Sequence, residues 1–181
     1  MRVAKSLDLA SMRASDKTGG MNFEQKIISR AELPAWRAKM RASGRKLVVT
    51  NGCFDLRHRG HVTYLQAARE QGDILLVGLN SDVSVRELKG ANRPINTELD
   101  RAAVLASLES VDAVCIFGEK SAQGFLESAQ PDIYVKGGDY TVETLDKEER
   151  RTVESRGGKI LVLPLVPGKS TTALLKKLSS L

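Results

Sequence analysis

The chain has 181 residues, of which 41% are hydrophobic and 28% are charged, and its formal net charge is +6 at pH 7. This length is enough for one domain with a buried core, and the composition is ordinary for a soluble protein. It excludes a membrane-spanning helix, because no stretch approaches the roughly 20 apolar residues that a span needs.

The positive charge is concentrated near the N-terminus. Residues 1–46 hold 11 Lys and Arg against 4 Asp and Glu, and the remainder of the chain is nearly neutral. A nucleic-acid-binding domain would carry clustered basic residues together with aromatic or groove-reading elements, but only 4% of these residues are aromatic. We therefore expect no nucleic-acid partner.

Residues 1–21 mix basic, small and polar side chains without a sustained apolar run, which predicts a disordered leader. They lack the apolar core and cleavage pattern of a secretory signal. Cys53 and Cys115 lie far apart in the sequence, as is usual in a reducing compartment. We expect a cytoplasmic protein, while a targeting peptide or a misassigned start at Met1 remains open for the leader.

The segment 22–44 predicts a helical lead-in of one helix or two short ones, with Pro34 in a first turn and Gly44 after the last helical residue. Strand and helix patterns then alternate through a domain spanning 45–181. The predicted strands cover 46–50, 73–80, 113–117, 133–136 and 159–163. The predicted helices cover 62–71, 83–88 and 97–110, two segments starting near 121 and 146, and 171–178.

Five strands joined by helical crossovers predict an α/β fold, a five-stranded parallel sheet with helices on both faces. The common strand order 3-2-1-4-5 would place a ligand crevice between the first and fourth strands, beyond their carboxyl ends. Thr97 is expected to cap the third helix, with Asp100 reaching back to it.

The turn from Asn51 to His61 joins the first strand to the first crossover helix. Gly52 and Gly60 would let a phosphate approach the backbone, where the unpaired N–H groups of a helix start favour anions. His58 and His61 are the only histidines of the chain, and they add donors of full or partial positive charge. Capping or surface histidines are the alternative, but two of them in one glycine-flanked turn favour phosphoryl chemistry.

The sequence His58-Arg59-Gly60-His61 matches the His-x-Gly-His signature of the nucleotidyltransferase superfamily that includes glycerol-3-phosphate cytidylyltransferase and the class I aminoacyl-tRNA synthetases. Together with the motifs at 88–96, 135–140 and 168–172, the chain resembles the heptose 1-phosphate adenylyltransferases, the adenylyltransferase domain of ADP-heptose synthase. The resemblance covers roughly residues 45–178.

The resemblance implies a Rossmann-like nucleotidyltransferase that uses ATP and D-glycero-β-D-manno-heptose 1-phosphate. The products would be ADP-heptose, for lipopolysaccharide core or related heptose glycoconjugates, and pyrophosphate. It also implies Mg²⁺ bound mainly through the triphosphate, no metal ligands from the protein, and a homo-oligomer, for which we expect a dimer. A kinase domain precedes this piece in many members of the family, so we expect a separate heptose kinase to act upstream.

The motifs supply the candidate site residues. The expected catalytic residues are His58, His61 and Lys89, and the expected acceptor-sugar residues are Asp55 and Asp82. Residues expected to bind nucleotide or phosphate are Asn51, Gly52, Cys53, Phe54, Gly60, Arg93, Lys136, Gly138, Asp139, Lys169, Ser170, Thr171 and Thr172.

Several of these residues have plainer alternatives. Lys89 and Arg93 could belong to a solvated loop, and the motif from Lys136 to Asp139 could be a simple turn. Asp82 could cap the next helix. Asp55 could instead orient a turn N–H group or a Mg²⁺-bound water.

The stretch from Gly168 to Thr172 imitates the end of a P-loop, but Leu163 stands where that motif needs its first glycine. We therefore interpret it as a phosphate-binding helix start, with Lys169 adding charge. Related cytidylyltransferases carry an arginine where this chain has Leu165, so the role of that arginine is not transferred.

Three other functions remain open from the sequence. The nearest is a cytidylyltransferase for glycerol 3-phosphate or another polyol phosphate, which preference for CTP would identify. An FMN adenylyltransferase of the same superfamily would turn over flavin. A non-catalytic nucleotide-binding module would bind nucleotide without releasing pyrophosphate.

Overall fold

Six parallel strands form one sheet in the computed structural model, which describes residues 22–138 and 144–164. The strands are β1 (Ile27–Ile28), β2 (Leu47–Gly52), β3 (Ile74–Asn80), β4 (Ala113–Phe117), β5 (Ile133–Gly137) and β6 (Lys159–Leu163). Their order across the sheet is β1-β4-β3-β2-β5-β6.

The α/β class and the parallel sheet with helices on both faces are confirmed, whereas the prediction of five strands in the order 3-2-1-4-5 is wrong. The additional strand, β1, lies at the sheet edge, where Ile27 and Ile28 pair with Val114 and Cys115 of β4. The five expected strands keep their relative order inside the longer sheet. A two-residue strand is too short to produce a recognisable alternation in the sequence.

The helices are α1 (Leu33–Ala42), α2 (Arg59–Arg69), α3 (Asp82–Lys89), α4 (Glu98–Ala106), α5 (Gln123–Ala129) and α6 (Lys147–Glu154). The lead-in is therefore not wholly helical, since a 3-10 turn and β1 precede α1. The helix expected over 171–178 lies outside the described residues. Within the described ranges no helix is long and apolar enough to cross a bilayer, and α2, the longest, has 11 residues.

Two features predicted for helix starts are confirmed, whereas one predicted helix end is wrong. Pro34 lies in the first turn of α1, as predicted. Thr97 caps α4 by accepting from the Asp100 N–H, and the Thr97 hydroxyl donates to the Asp100 carboxylate over 2.7 Å. The helix α4 ends at Ala106, four residues before the predicted end at Ser110.

Two apolar clusters fill the space on either side of the sheet. Along β3, Leu75, Val77 and Leu79 face one cluster, whereas Ile74 and Leu76 face the other. The helices α2 and α4 cover the first cluster, and α1, α5 and α6 cover the second. Because the central strands are buried on both faces, polar side chains emerge only at the strand ends.

Candidate active site

A pocket of about 540 Å³ lies beyond the carboxyl ends of β2, β3 and β5, where parallel α/β sheets bind ligands. Of the residues selected from the sequence, it brings together Asn51, Gly52, Cys53, Phe54, Asp55, His61, Lys89, Arg93 and Lys136. Residues from three separate motif regions of the sequence therefore share one concave surface.

Other predicted residues lie beside the pocket or beyond the described chain. His58 contacts His61, with ring centroids 4.1 Å apart, and Gly60 is buried in the first turn of α2. Gly138 directly follows β5. Asp139 and the residues Lys169, Ser170, Thr171 and Thr172 lie outside the described residues.

The two histidines form the N-terminal cap of α2. Nδ1 of His58 accepts from the Gly60 N–H over 3.1 Å, and Nδ1 of His61 accepts from the His58 N–H over 3.3 Å. An Nδ1 atom that accepts carries no proton, so the proton of each neutral ring sits on Nε2. The capping alternative is thus correct for Nδ1, and it leaves Nε2 available as a donor to a ligand.

His61 provides this donor without a full positive charge. Burial, followed by the nearby charges of His58 and Arg57, lowers the pKa of His61 to about 4. The ring is therefore neutral at pH 7, and of the full or partial positive charge expected for its donor, His61 has the partial charge of an Nε2–H group. The full positive charges of the pocket lie instead on its lysine and arginine side chains.

Packing within the turn fixes the orientation of the His61 ring. The Phe54 ring meets it edge-on with centroids 5.6 Å apart. Phe54 has a φ of +44°, in the left-handed region that costs most residues free energy. A Cβ at position 52 would lie 3.1 Å from the Phe54 ring, so Gly52 allows this ring to fold back over the strand end.

Asp55 connects the loop after α3 to the turn from Asn51 to His61. Its nearly buried carboxylate accepts from Nε of Arg93 over 2.6 Å, from the Ile95 N–H over 2.9 Å and from the Asn96 N–H over 3.0 Å. Burial alone raises the pKa of Asp55, but these hydrogen bonds outweigh it and hold the pKa below its ordinary value. The expected contact between Asp55 and the acceptor sugar stays a prediction.

Asp82 pairs with a fully buried arginine that the sequence did not indicate. Arg101 donates to Oδ1 of Asp82 over 2.8 Å, to the Asn96 carbonyl over 3.1 Å and to the Cys53 carbonyl. Ser81 caps α3, because its hydroxyl accepts from the Ser84 N–H, so the capping alternative for Asp82 is wrong. A contact between Asp82 and the sugar stays a prediction.

The described lining of the pocket carries more positive than negative side chains. The cationic ones are Lys89, Arg93, Lys120 and Lys136, and the carboxylates are Asp55 and Glu149. Arg93 pairs with Asp55, and Lys136 lies 3.1 Å from Glu149. Such a surplus of cations around a helix start attracts a polyanion.

The two glycines at the end of β5 are required by the local packing and by the backbone conformation. A Cβ at Gly137 would lie 2.6 Å from the Tyr64 ring, and Gly138 has a φ of +116°. The Tyr64 hydroxyl lies 2.7 Å from Oγ1 of Thr50 and donates to the Val135 carbonyl over 3.1 Å. The glycine pair therefore admits the tyrosine ring and a left-handed backbone, whatever else it contributes to a ligand.

Cys53 faces the pocket as a protonated thiol. Burial raises its pKa, although Lys89, Arg101 and Arg93 act in the opposite direction. Cys53 and Cys115 are both free thiols, so no disulfide joins them.

The chain matches the cytidylyltransferase-like family over residues 49–176, a range that includes the whole turn from Asn51 to His61. The chain belongs to the cytidylyltransferase-like family. It is therefore a nucleotidyltransferase by family.

Curated relatives of this cytidylyltransferase-like chain carry the name bifunctional protein HldE. The relative from Trichlorobacter lovleyi is 49% identical over 154 residues, covering 85% of this chain and 31% of the relative. The relative from Geotalea uraniireducens is 54% identical over 135 residues, covering 75% of this chain and 27% of the relative. The relative from Pseudomonas paraeruginosa is 53% identical over 138 residues, covering 76% of this chain and 29% of the relative. The chain spans about a third or less of the length of these relatives.

A solved structure, the lipopolysaccharide core biosynthesis protein from Thermoplasma volcanium, shares the fold. Its TM-score is 0.56 at 27% sequence identity, and the match covers 68% of this chain and 98% of that protein.

The donor set of this cytidylyltransferase-like site suits a magnesium ion that arrives with the nucleotide. Within 22–138 and 144–164 there is no group of three or more His, Cys, Asp and Glu side chains that could hold a metal. The pocket carboxylates Asp55 and Glu149 already face Arg93 and Lys136. Magnesium commonly binds through substrate phosphates with few protein ligands, and these residues fit that arrangement.

Six residues that line the pocket were not predicted from the sequence: Tyr64, Asn80, Leu88, Lys120, Gly137 and Glu149. For Lys120 a signal existed, because it follows a predicted strand and so lies at the same sheet edge as the motifs. For Glu149 there was none, since an acidic residue in the first turn of a helix is usually exposed.

Proposed function

We propose that this cytidylyltransferase-like chain transfers an adenylyl group from ATP to D-glycero-β-D-manno-heptose 1-phosphate. The observation that carries the proposal is the histidine pair, in which both Nε2 atoms are left to donate and His61 lines a cation-rich pocket with His58 packed against it. The motif resemblance favours heptose as the acceptor. The HldE relatives and the similarity to a lipopolysaccharide core biosynthesis protein support this choice and a role in heptose glycoconjugate synthesis.

In the proposed reaction an oxygen of the sugar phosphate attacks the α-phosphorus of ATP in line, and pyrophosphate leaves. No covalent bond forms to the protein. The attacking phosphate is already an anion near neutral pH, so the protein contributes positioning and charge stabilisation more than base catalysis. His58 and His61 donate to the α- and β-phosphate oxygens, while Lys89 and the predicted helix start at 170–172 stabilise the departing pyrophosphate.

The remaining residues hold the two substrates. Asn51, Lys136 and the backbone near Gly52 bind the nucleotide, with Arg93 beside its phosphates. Magnesium, when bound to the triphosphate, neutralises part of its charge. Asp55 and Asp82 shape the part of the pocket that takes the acceptor sugar. They do so by holding the loop after α3 and α3 itself in position.

A cytidylyltransferase acting on glycerol 3-phosphate or another polyol phosphate is the second candidate, favoured by the description of the matched family as cytidylyltransferase-like. It uses the same histidine pair and differs in base and acceptor.

The test is pyrophosphate release with ATP or CTP crossed against heptose 1-phosphate and glycerol 3-phosphate, with Mg²⁺ present. Turnover with ATP and heptose 1-phosphate alone is the expected result. Turnover with CTP and the polyol phosphate selects the second candidate. If neither pair reacts, FMN is tested with ATP, and nucleotide binding without any turnover leaves a binding module.

The other expectations from the sequence stay proposals: a homodimer, a separate heptose kinase, a cytoplasmic location, and the division into a leader over 1–21, a lead-in over 22–44 and a domain over 45–181. Light scattering of the purified chain tests the dimer directly.

A further inference from the structure

A buried carboxylate lies beneath the basic side of the pocket. Glu149, in the first turn of α6, is only 7% exposed and uses both of its oxygens. Oε1 accepts from the Ala122 N–H over 3.0 Å. Oε2 lies 2.8 Å from the Tyr134 hydroxyl and 3.1 Å from Nζ of Lys136. Glu149 therefore joins α6, the start of α5 and the end of β5 at one point.

The same two donors converge on Asn51, the residue that opens the phosphate turn. The Tyr134 hydroxyl lies 2.7 Å, and Nζ of Lys136 2.8 Å, from Oδ1 of Asn51. An ammonium group can only donate, so the atom that it approaches must be the amide oxygen and not the nitrogen. Lys136 thus fixes which way the Asn51 amide faces.

This orientation leaves the Asn51 NH₂ group directed away from the lysine. Asn51 lines the pocket, and within the described part of the chain its Nδ2 atom has no hydrogen-bond partner. A donor held in one orientation beside a helix start is suited to a phosphate or ribose oxygen.

Tyr134 alone could not maintain this arrangement. Its single phenolic proton can serve Asn51 or Glu149, but not both at once. Lys136 has three N–H donors and reaches both acceptors. Its position therefore depends on the carboxylate, which offsets its charge in a largely buried setting.

We propose that Glu149 is a positioning residue, which holds Lys136 so that the Asn51 amide nitrogen faces the pocket as a donor to the nucleotide. The inference rests on the proposed function, because it needs a nucleotide in this pocket. Glu149 touches no substrate itself and acts through Lys136.

The main alternative is that Glu149 only stabilises the fold, by anchoring Ala122 and the loop that carries Lys120. Glu149→Gln separates the two roles. Glutamine can still accept from the Ala122 N–H through its carbonyl oxygen, but its NH₂ group then faces Lys136, and two donors cannot bond to each other. The lysine is released while the loop anchor remains.

The test is a double-mutant cycle read in nucleotide binding, which needs no knowledge of the acceptor. Dissociation constants for ATP and for CTP, each with Mg²⁺, are measured by calorimetry on the full chain and on Glu149→Gln, Lys136→Met and the double variant. We expect Glu149→Gln to weaken binding of the preferred nucleotide about tenfold in the otherwise unchanged chain. In the Lys136→Met background it should change binding less than about twofold. The exposed neighbour provides the matched control, Glu148→Gln, which should bind as the unchanged chain does.

Equal weakening by Glu149→Gln in both backgrounds, or none in the unchanged chain, overturns the inference while leaving the proposed function intact. Failure of the unchanged chain to bind either nucleotide overturns the proposed function and the inference with it. If Glu149→Gln does not fold, as judged by its melting curve, Glu149→Asp replaces it in the cycle. Aspartate keeps the charge but is one methylene shorter, so it should hold Lys136 less well and weaken binding about threefold, again only when Lys136 is present.

Discussion

The guanidinium of Arg93 and the carboxylate of Asp55 meet at 2.6 Å, which joins the loop after α3 to the turn after β2. The two residues are 38 positions apart in the sequence. This ion pair therefore connects the two segments to each other, and both of them line the pocket.

Replacing Asp55 by asparagine should loosen this connection. Asparagine can accept from the Ile95 or Asn96 N–H but offers no charge to Arg93, so we expect the free energy of unfolding to fall by about 2 kcal/mol. Urea denaturation measures the loss. The exposed Asp100→Asn is the control and should change stability by less than about 0.5 kcal/mol.

The same substitution has a pH signature. Because the pKa of Asp55 is below its ordinary value of 3.8, its ionised form stabilises the fold above that pH, and the contribution is lost as the pH falls through the lower value of the folded state. The unchanged chain should therefore approach the stability of Asp55→Asn as the pH drops below about 3.8. A difference in stability that stays constant well below pH 3.8 would contradict the ion-pair interpretation.

His58 combines a structural and a chemical role that two substitutions can separate. Asparagine is a good helix cap, so His58→Asn should keep the stability within about 0.5 kcal/mol, whereas His58→Ala should lose about 1 kcal/mol. Both remove the Nε2 donor, and turnover should fall on the order of 100- to 1000-fold in each. Denaturation and pyrophosphate release provide the two readouts, and near-normal turnover of the asparagine variant would refute the proposed role.

His61 should make the fold less stable in mild acid. Its pKa is about 4 in the folded chain against an ordinary 6.5, so the unfolded chain binds the proton first, and stability falls as the pH drops from 6.5 towards 4. His61→Asn keeps an acceptor for the His58 N–H and does not titrate there. Melting temperatures between pH 7.5 and 4.5 should therefore decline less in this variant, and parallel curves would show that the ring does not titrate as described.

Arg101 should be among the residues least tolerant of change. Arg101→Met leaves the carbonyls of Cys53 and Asn96 and the Asp82 carboxylate without their donor, and we expect a loss of about 3 kcal/mol. Arg59→Met, at an exposed position in the same part of the fold, should stay within about 0.5 kcal/mol. Urea denaturation compares the two, and equal losses would mean that the buried hydrogen bonds contribute little.

The sequence predicted those parts of the fold that produce local patterns. The apolar run in β3 and the Thr97 cap of α4 are recognisable without any knowledge of their neighbours. The two-residue β1 has no pattern of its own and exists because β4 offers it a hydrogen-bonding edge. The choice of Ser81 over Asp82 as a cap depends on Arg101, whose pairing with Asp82 is a tertiary contact.

The candidate site likewise has some features that the sequence predicts locally and others that depend on tertiary contacts. Two histidines in one glycine-flanked turn are a local signal, and the pocket does contain His61 with His58 against it. The Nε2–H tautomer of both rings and the neutral state of His61 could not be predicted, because the hydrogen bonds of the cap and burial decide them. Glu149 and Asn51 are linked through Lys136 and Tyr134 across 98 positions of the sequence, and no spacing rule indicates such a contact.

The contact between Tyr64 and Gly137 predicts which residues homologous sequences can carry at these two positions. A ring that lies 2.6 Å from the place of a missing Cβ gives this glycine a structural reason that does not depend on any ligand. A chain with a smaller residue at position 64 would have room for alanine at position 137. The two positions should therefore covary among homologous sequences, and loss of this glycine alone would be a poor criterion for loss of activity.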